Sequence, residues 1–141
     1  MGQIQRIQSI YLFFAAILAV AFFMFPFASA EIQPSGFFDD GIFNYQDHLV
    51  LTILSIAVLL LCVLPIFLYN NRNLQMSLIK TNVLSLLLLL AILIYFIFEI
   101  SHKYHFGVSL FVPLAVTIFL VLAYRAIGQD EKLVRDSDRL R

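Results

Sequence analysis

The sequence predicts an all-α integral membrane protein, an antiparallel up-down bundle of four transmembrane helices. The first observation is composition: 62% of the 141 residues are hydrophobic and only 13% are charged. Soluble domains are about half apolar and about a quarter charged, and a domain of this size has too little interior to hide the excess. The second observation is that four uncharged stretches are each long enough to cross a bilayer. We therefore expect one membrane domain that covers residues 1–141.

The four apolar stretches predict spans at about residues 8–28, 48–69, 78–100 and 107–127. Only helices and closed barrels satisfy all backbone groups in lipid, and a barrel would alternate polar and apolar residues. In these stretches polar residues are missing at odd and at even positions alike, which favours helices. The motif Ala28-Ser29-Ala30 after the first stretch resembles a signal-peptide cleavage site. Because the apolar run exceeds the usual signal length, we expect an uncleaved helix.

The distribution of basic residues predicts that both termini are cytoplasmic. Positive residues collect in the short cytoplasmic loops of membrane proteins. Lys103 is the one basic residue on the predicted outer side, which also carries five acidic residues. The other eight of the nine basic residues lie in the N-terminus, the loop near residue 72 and the end of the chain: Arg6, Arg72, Lys80, Arg125, Lys132, Arg135, Arg139 and Arg141.

The longest connection is the outer loop, residues 29–47, in which Pro34 and the glycines indicate turns. Its three phenylalanines, Phe37, Phe38 and Phe43, are expected to fold back on the outer rim of the bundle rather than stand in water. The inner loop near Asn71 is short and polar, so the second and third helices are expected to be antiparallel neighbours.

Residues 128–141 form the predicted cytoplasmic tail. Gly128 is a helix-stop signal, and the spacing of Glu131 and Arg135 would support a short helix after it. Two interpretations stay open: a solvated end that helps to orient the protein, or a docking peptide for a cytoplasmic partner or for anionic headgroups. The candidate interaction residues are Arg72 in the inner loop and, in the tail, Arg135, Asp138, Arg139 and Arg141.

Three segments resemble a small family of membrane proteins from Bacteroidota that is described only as a domain of unknown function. They are the opening IQRIQSIYL (residues 4–12), the loop NRNLQ (71–75) and the closing DEKLVR with DRLR (130–135 and 138–141). The closing segment is the most specific. The resemblance covers the whole chain and implies four spans in a bacterial inner membrane. It implies no activity, substrate or site.

The candidate metal ligands lie at the outer ends of the helices. Glu99, His102 and His105 are spaced by three, and His48 starts the second span on the same side. Glu-x-x-His is half of a di-metal bundle motif, but the second half is missing, so the preferred interpretation is a hydrated rim. Asn82 lies within a span, where an interhelical hydrogen bond is its expected role.

Three functions remain open, and a non-catalytic accessory subunit or assembly factor of a larger membrane complex is preferred. The alternative is a protein that binds or transports a lipid or another apolar molecule. A membrane enzyme that uses the Glu/His cluster with a metal or haem is the third. We expect no catalytic residues and no cofactor, because no nucleophile motif or mid-membrane charge is present. The expected partners are membrane lipids and a protein. Nucleic acid is not expected, since the net charge is zero.

Overall fold

The structure is a computed structural model that describes residues 2–30, 41–100 and 104–140, with side chains from residue 7 onward except at positions 100 and 104. Its four α-helices are α1 (Gly2–Met24), α2 (Leu49–Phe67), α3 (Arg72–Ile100) and α4 (Val112–Arg139). All four are long and apolar enough to cross a membrane. The predicted class, an all-α membrane protein with four helices, is confirmed, and the chain is a multi-pass membrane protein.

Each helix turns one narrow stripe of side chains toward the centre of the bundle. Most of the buried residues of each helix are separated by alternating steps of four and three, the spacing of one helical face in a coiled-coil-like bundle. The stripes are Gln8, Leu12, Ala15, Ala19 and Phe22 on α1; Leu51, Ser55, Val58, Cys62 and Pro65 on α2; Gln75, Ile79, Asn82, Leu86, Leu89 and Leu93 on α3; and Val116, Leu120, Ala123, Ile127 and Asp130 on α4.

The helices pack in a ring that follows chain order, α1 on α2, α2 on α3, α3 on α4, and α4 back on α1. The contact between α1 and α4 is the most extensive. Both helices have fully buried alanines, Ala15 and Ala19 on α1 and Ala123 on α4. Small side chains let two helix backbones approach closely, which is how helices associate when lipid removes the hydrophobic driving force.

A small antiparallel sheet covers one end of the bundle, which the sequence analysis did not predict. The central strand β1 (Ala28–Ala30) pairs with β2 (Ile42–Phe43) on one side and with β3 (Tyr104–Phe106) on the other. The motif that resembles a cleavage site is therefore the central strand of this sheet. We call this end of the molecule the sheet end.

Aromatic rings fill the space between the sheet and the helices. Phe43 on β2 is fully buried, and its ring centre lies 5.7 Å from that of Phe27 and 5.5 Å from that of Phe96 on α3. The expectation that the phenylalanines of the outer loop fold back is confirmed for Phe43. Phe37 and Phe38, like Pro34, lie in residues 31–40, outside the described part of the chain.

The other end of the bundle, where α3 begins and α4 ends, carries Arg72, Lys80 and Arg125, and we call it the basic end. The sheet joins the connection between α1 and α2 to the connection between α3 and α4. Arg72 on α3 meets Asp130 on α4 at the opposite end of the bundle, the basic end. These contacts fit an antiparallel up-down bundle.

Helix α4 does not end at Gly128, so that prediction is wrong. The helix continues to Arg139, and α3 and α4 have 29 and 28 residues. At about 1.5 Å per residue, each is about 42 Å long, well beyond a hydrocarbon layer of about 30 Å. Both helices therefore extend past the apolar layer, and the sequence places their polar and charged segments at the basic end. We call residues 128–139 the α4 extension.

Candidate functional site

A partly buried ion pair joins α3 to the α4 extension. Nη2 of Arg72 lies 2.8 Å from Oδ2 of Asp130, and these side chains are 26% and 4% exposed. The two atoms are in contact without the alignment of a hydrogen bond. A carboxylate that loses its water so completely needs an opposite charge nearby. The pair therefore holds the start of the α4 extension against the first turn of α3.

Asp130 was not among the residues singled out from the sequence, although its position could have identified it. It lies three residues after Ile127 and seven after Ala123, on the buried stripe of α4. A charge at a core position of a bundle requires a partner. The candidate partner is Arg72, which precedes the first buried residue of α3, Gln75, by three positions.

Two amide side chains, Gln75 and Gln8, are buried in the bundle. Nε2 of Gln75 donates a hydrogen bond of 3.0 Å to the carbonyl oxygen of Pro65, in the last turn of α2. This bond links α3 to α2 beside the short connection between them. Gln8 on α1 is equally buried, and within the described residues its Oε1 has no hydrogen-bond partner.

Asn82 joins the same two helices deeper in the bundle. Its Nδ2 lies 3.3 Å from the carbonyl oxygen of Val58 and 3.1 Å from Sγ of Cys62, both on α2. The predicted interhelical hydrogen bond is thus confirmed. Together with Gln75, it makes the contact between α2 and α3 specific in register, because amide donors must meet their acceptors.

The α4 extension places most of the predicted interaction residues at the surface. Arg135 forms an exposed ion pair of 3.1 Å with Glu131, one turn earlier, as the spacing predicted. Asp138 and Arg139 are exposed on the last turn. Arg141 lies outside the described residues. Arg72 differs from these surface residues, because its guanidinium pairs with the buried carboxylate of Asp130.

An open pocket lies between the α4 extension and the connection from α2 to α3. Its volume is about 520 Å³, and its lining includes Tyr69, Asn70, Arg72, Glu131 and Val134. The polar lining and wide mouth are typical of a hydrated surface depression.

A second cavity is a groove between α3 and α4 that opens on the outside of the bundle. Its volume is about 300 Å³, and its lining is almost entirely apolar. Ile79 and Leu120 are buried at its floor, and Val121 is 44% exposed. The ammonium of Lys80 lies 5.5 Å from the centre of the Tyr124 ring, and both residues line the groove.

Three of the four candidate metal ligands, His48, Glu99 and His105, lie within the described residues, at the sheet end. His48 caps α2, where its Nδ1 accepts a hydrogen bond of 3.2 Å from the backbone of Val50. Glu99 is exposed in the last turn of α3, and His105 lies in β3 opposite Ser29. His102 is outside the described residues. The residues that are described include no group of three potential metal ligands.

Comparison with known proteins gives a family and no activity. No curated protein and no solved structure matches the chain. The model of one protein family, described as "Domain of unknown function (DUF4293)", matches residues 4–140, nearly the whole chain. The chain, with its four apolar helices and its α4 extension, therefore belongs to the DUF4293 family.

Proposed function

We propose that this protein is a non-catalytic accessory subunit or assembly factor of a larger complex in the bacterial inner membrane. In this proposal the basic end faces the cytoplasm, and the α4 extension binds the partner. The observation that carries the proposal is the ion pair between Arg72 and Asp130, which makes the end of the chain a positioned helix. A solvated end that only orients the protein would not need a buried anchor.

The surface of the α4 extension supports a role in protein binding. Leu133 on the α4 extension is 56% exposed, and Leu140, which directly follows the extension, is 90% exposed. Charged residues flank both leucines in sequence. A pre-formed helix loses little conformational entropy on binding, which favours its use as a recognition element. Apolar side chains within a charged surface provide the combination of contact area and orientation that protein interfaces use.

The buried polar groups support a structural role. The described part of the chain buries Gln8, Ser55, Gln75, Asn82, Ser109 and Asp130. Neutral amides and hydroxyls of this kind join helices inside membranes. Asp130 is neutralised by Arg72 at the end of the bundle. None of these described side chains forms a nucleophile–base pair.

The orientation that we propose follows from charge. Among the described residues, Arg72, Lys80, Arg125 and Lys132 all belong to the basic end, whereas Asp47 and Glu99 belong to the sheet end. Basic residues are retained on the cytoplasmic side during insertion. These charges support a cytoplasmic location of the α4 extension and an outer face that carries the sheet.

The alternative function, binding or transport of a lipid or another apolar molecule, has one specific observation in its favour. The groove between α3 and α4 is apolar and opens toward the space that lipid would occupy. It lies on the outside of the bundle, which favours binding of a membrane lipid over passage of a substrate through the interior.

The experiment that tests the accessory role is purification of the natively expressed protein in mild detergent, followed by mass spectrometry. We expect a stoichiometric protein partner that is lost when residues 131–141 are deleted, a deletion that leaves Asp130 in place. The charge reversal Arg135→Glu with Arg139→Glu should also weaken binding, whereas Arg135→Lys with Arg139→Lys should retain it. Recovery of the same partners with the deletion would overturn the proposal, as would the lack of any stoichiometric partner.

A further inference from the structure

We propose that the groove between α3 and α4 is a binding site for an anionic phospholipid. One acyl chain lies along the apolar lining formed by Ile79, Val83, Leu120 and Val121, and the phosphate binds the ammonium of Lys80. This site is separate from the α4 extension, so it can be tested independently of the proposed partner.

The groove lies at the correct depth for a lipid. Lys80 is the last charged residue before the apolar part of α3, and the next charged residue along the helix is Glu99. On α4, Tyr124 is followed directly by Arg125, and no charged residue precedes it in the helix. The charged mouth of the groove therefore coincides with the edge of the apolar layer. Its apolar floor extends into that layer, as an acyl chain below a headgroup does.

Lys80 is positioned to receive an anion. Its ammonium lies 5.5 Å from the centre of the Tyr124 ring, a cation–π distance that keeps the side chain over the mouth of the groove. Lys80 has no carboxylate partner within the described part of the protein. The mouth therefore carries a positive charge that no carboxylate among the described residues neutralises.

This charge, and not the apolar lining, would select the lipid. An acyl chain that enters the groove leaves one apolar medium for another, so no hydrophobic free energy is gained. A basic residue at the membrane surface favours an anionic over a neutral headgroup by about five-fold. Basic pockets between transmembrane helices on the cytoplasmic side have the composition that binds anionic headgroups.

The test is native mass spectrometry of the full-length protein after reconstitution in a bilayer with equal amounts of phosphatidylglycerol and phosphatidylcholine. We expect retained lipid to be enriched in phosphatidylglycerol by about five-fold, the effect of one basic residue. Lys80→Gln should remove that enrichment. Lys132→Gln, on the exposed α4 extension outside the groove, is the matched control and should keep it.

A second variant tests the groove without changing any charge. Val121 is partly exposed, so Val121→Phe can fill the groove without entering the core. We expect fewer retained lipids of both classes with Val121→Phe, and unchanged retention with Ile118→Phe, an exposed position outside the groove. Equal retention of both lipid classes by the unchanged protein would overturn the proposal. Identical behaviour of Lys80→Gln and Lys132→Gln would do the same.

Discussion

Asp130, near the end of α4, is held by Arg72, in the first turn of α3, at a distance of 2.8 Å between Oδ2 and Nη2. Fifty-eight positions separate these residues in sequence (130 minus 72), so the pair forms only when α3 and α4 have packed together. It also explains why the chain after the last apolar residues remains a helix in contact with the bundle. The proposed docking role of the α4 extension depends on this contact.

The ion pair predicts an asymmetry between two single substitutions. Arg72→Gln leaves the carboxylate of Asp130 buried and unpaired, and we expect it to destabilise the protein by about 3 to 5 kcal/mol. Asp130→Asn leaves Arg72, which is 26% exposed and can turn toward water, so a smaller loss is expected. Unfolding in mixed micelles measures both values. Losses below about 0.5 kcal/mol for both variants, the range of surface changes, would contradict the account.

Replacement of glycine by alanine should lower the stability of the protein at Gly107 and raise it at Gly128. A Cβ atom at Gly107 would overlap the carbonyl oxygen of Pro26, next to the hydrogen bond of 2.8 Å from Gly107 to Phe27. We expect Gly107→Ala to cost about 1 to 3 kcal/mol, as overpacking does. At Gly128, inside α4, a Cβ atom meets nothing within 4 Å.

Gly128→Ala should therefore stabilise the protein by about 1 kcal/mol, the difference in helix propensity between the two residues. Thermal unfolding of both variants in the same detergent gives the comparison. A stabilising Gly107→Ala, or a clearly destabilising Gly128→Ala, would show that the sheet end or the α4 extension is described incorrectly.

Truncation of the Asn82 side chain to alanine should cause a moderate loss of stability. Asn82→Ala removes the bonds to Val58 and Cys62 and should cost about 1 kcal/mol, the usual size of an interhelical hydrogen bond in a membrane. The neighbouring Thr81 is exposed and bonds only within α3, to Ser77. Thr81→Ala is therefore the control, with an expected change near zero, and equal losses for the two variants would argue against the contact with α2.

The orientation is tested by labelling introduced cysteines in intact cells. Cys62 is buried, so the native thiol should stay unlabelled in the folded protein. A membrane-impermeant maleimide should label Gln46→Cys at the sheet end and should leave Leu140→Cys unlabelled until the cells are opened. Labelling of Leu140→Cys in intact cells would place the basic end outside and exclude a cytoplasmic partner.

The four helices are predictable because lipid imposes one strong requirement on the chain: long stretches without charge. The steps of four and three that select each buried stripe also exist in the sequence, and they place Gln75, Asn82 and Asp130 on core faces. The pairing of Asp130 with Arg72 could therefore have been inferred from spacing alone. We instead considered Arg72 only as an interaction residue.

The end of α4 was predicted incorrectly because a single glycine is weak evidence. Glycine in a helix costs only about 1 kcal/mol relative to alanine. The packing of Ile127 and Asp130 and the ion pair of Glu131 with Arg135 favour continuation of the helix. None of these contacts can be evaluated from Gly128 and its immediate neighbours.

The sheet could not have been predicted from local pattern. Its strands contain two or three residues, too few to show alternation. They come from two connections, between α1 and α2 and between α3 and α4, that meet only after the helices have packed. In addition, β1 has the small residues of a signal-peptide motif. The burial of Phe43 was nevertheless predictable, because exposure of a large apolar side chain to water is unfavourable.

The most direct test of the central claim, that the α4 extension binds a protein, is photo-crosslinking in living cells. A benzophenone side chain at Leu133, which is exposed on the α4 extension, should yield one discrete crosslinked product that contains a second protein. The same group at Leu84, exposed on the lipid-facing side of α3, should not yield that product. If Leu133 gives no protein product, or the same product as Leu84, the α4 extension is not the docking element.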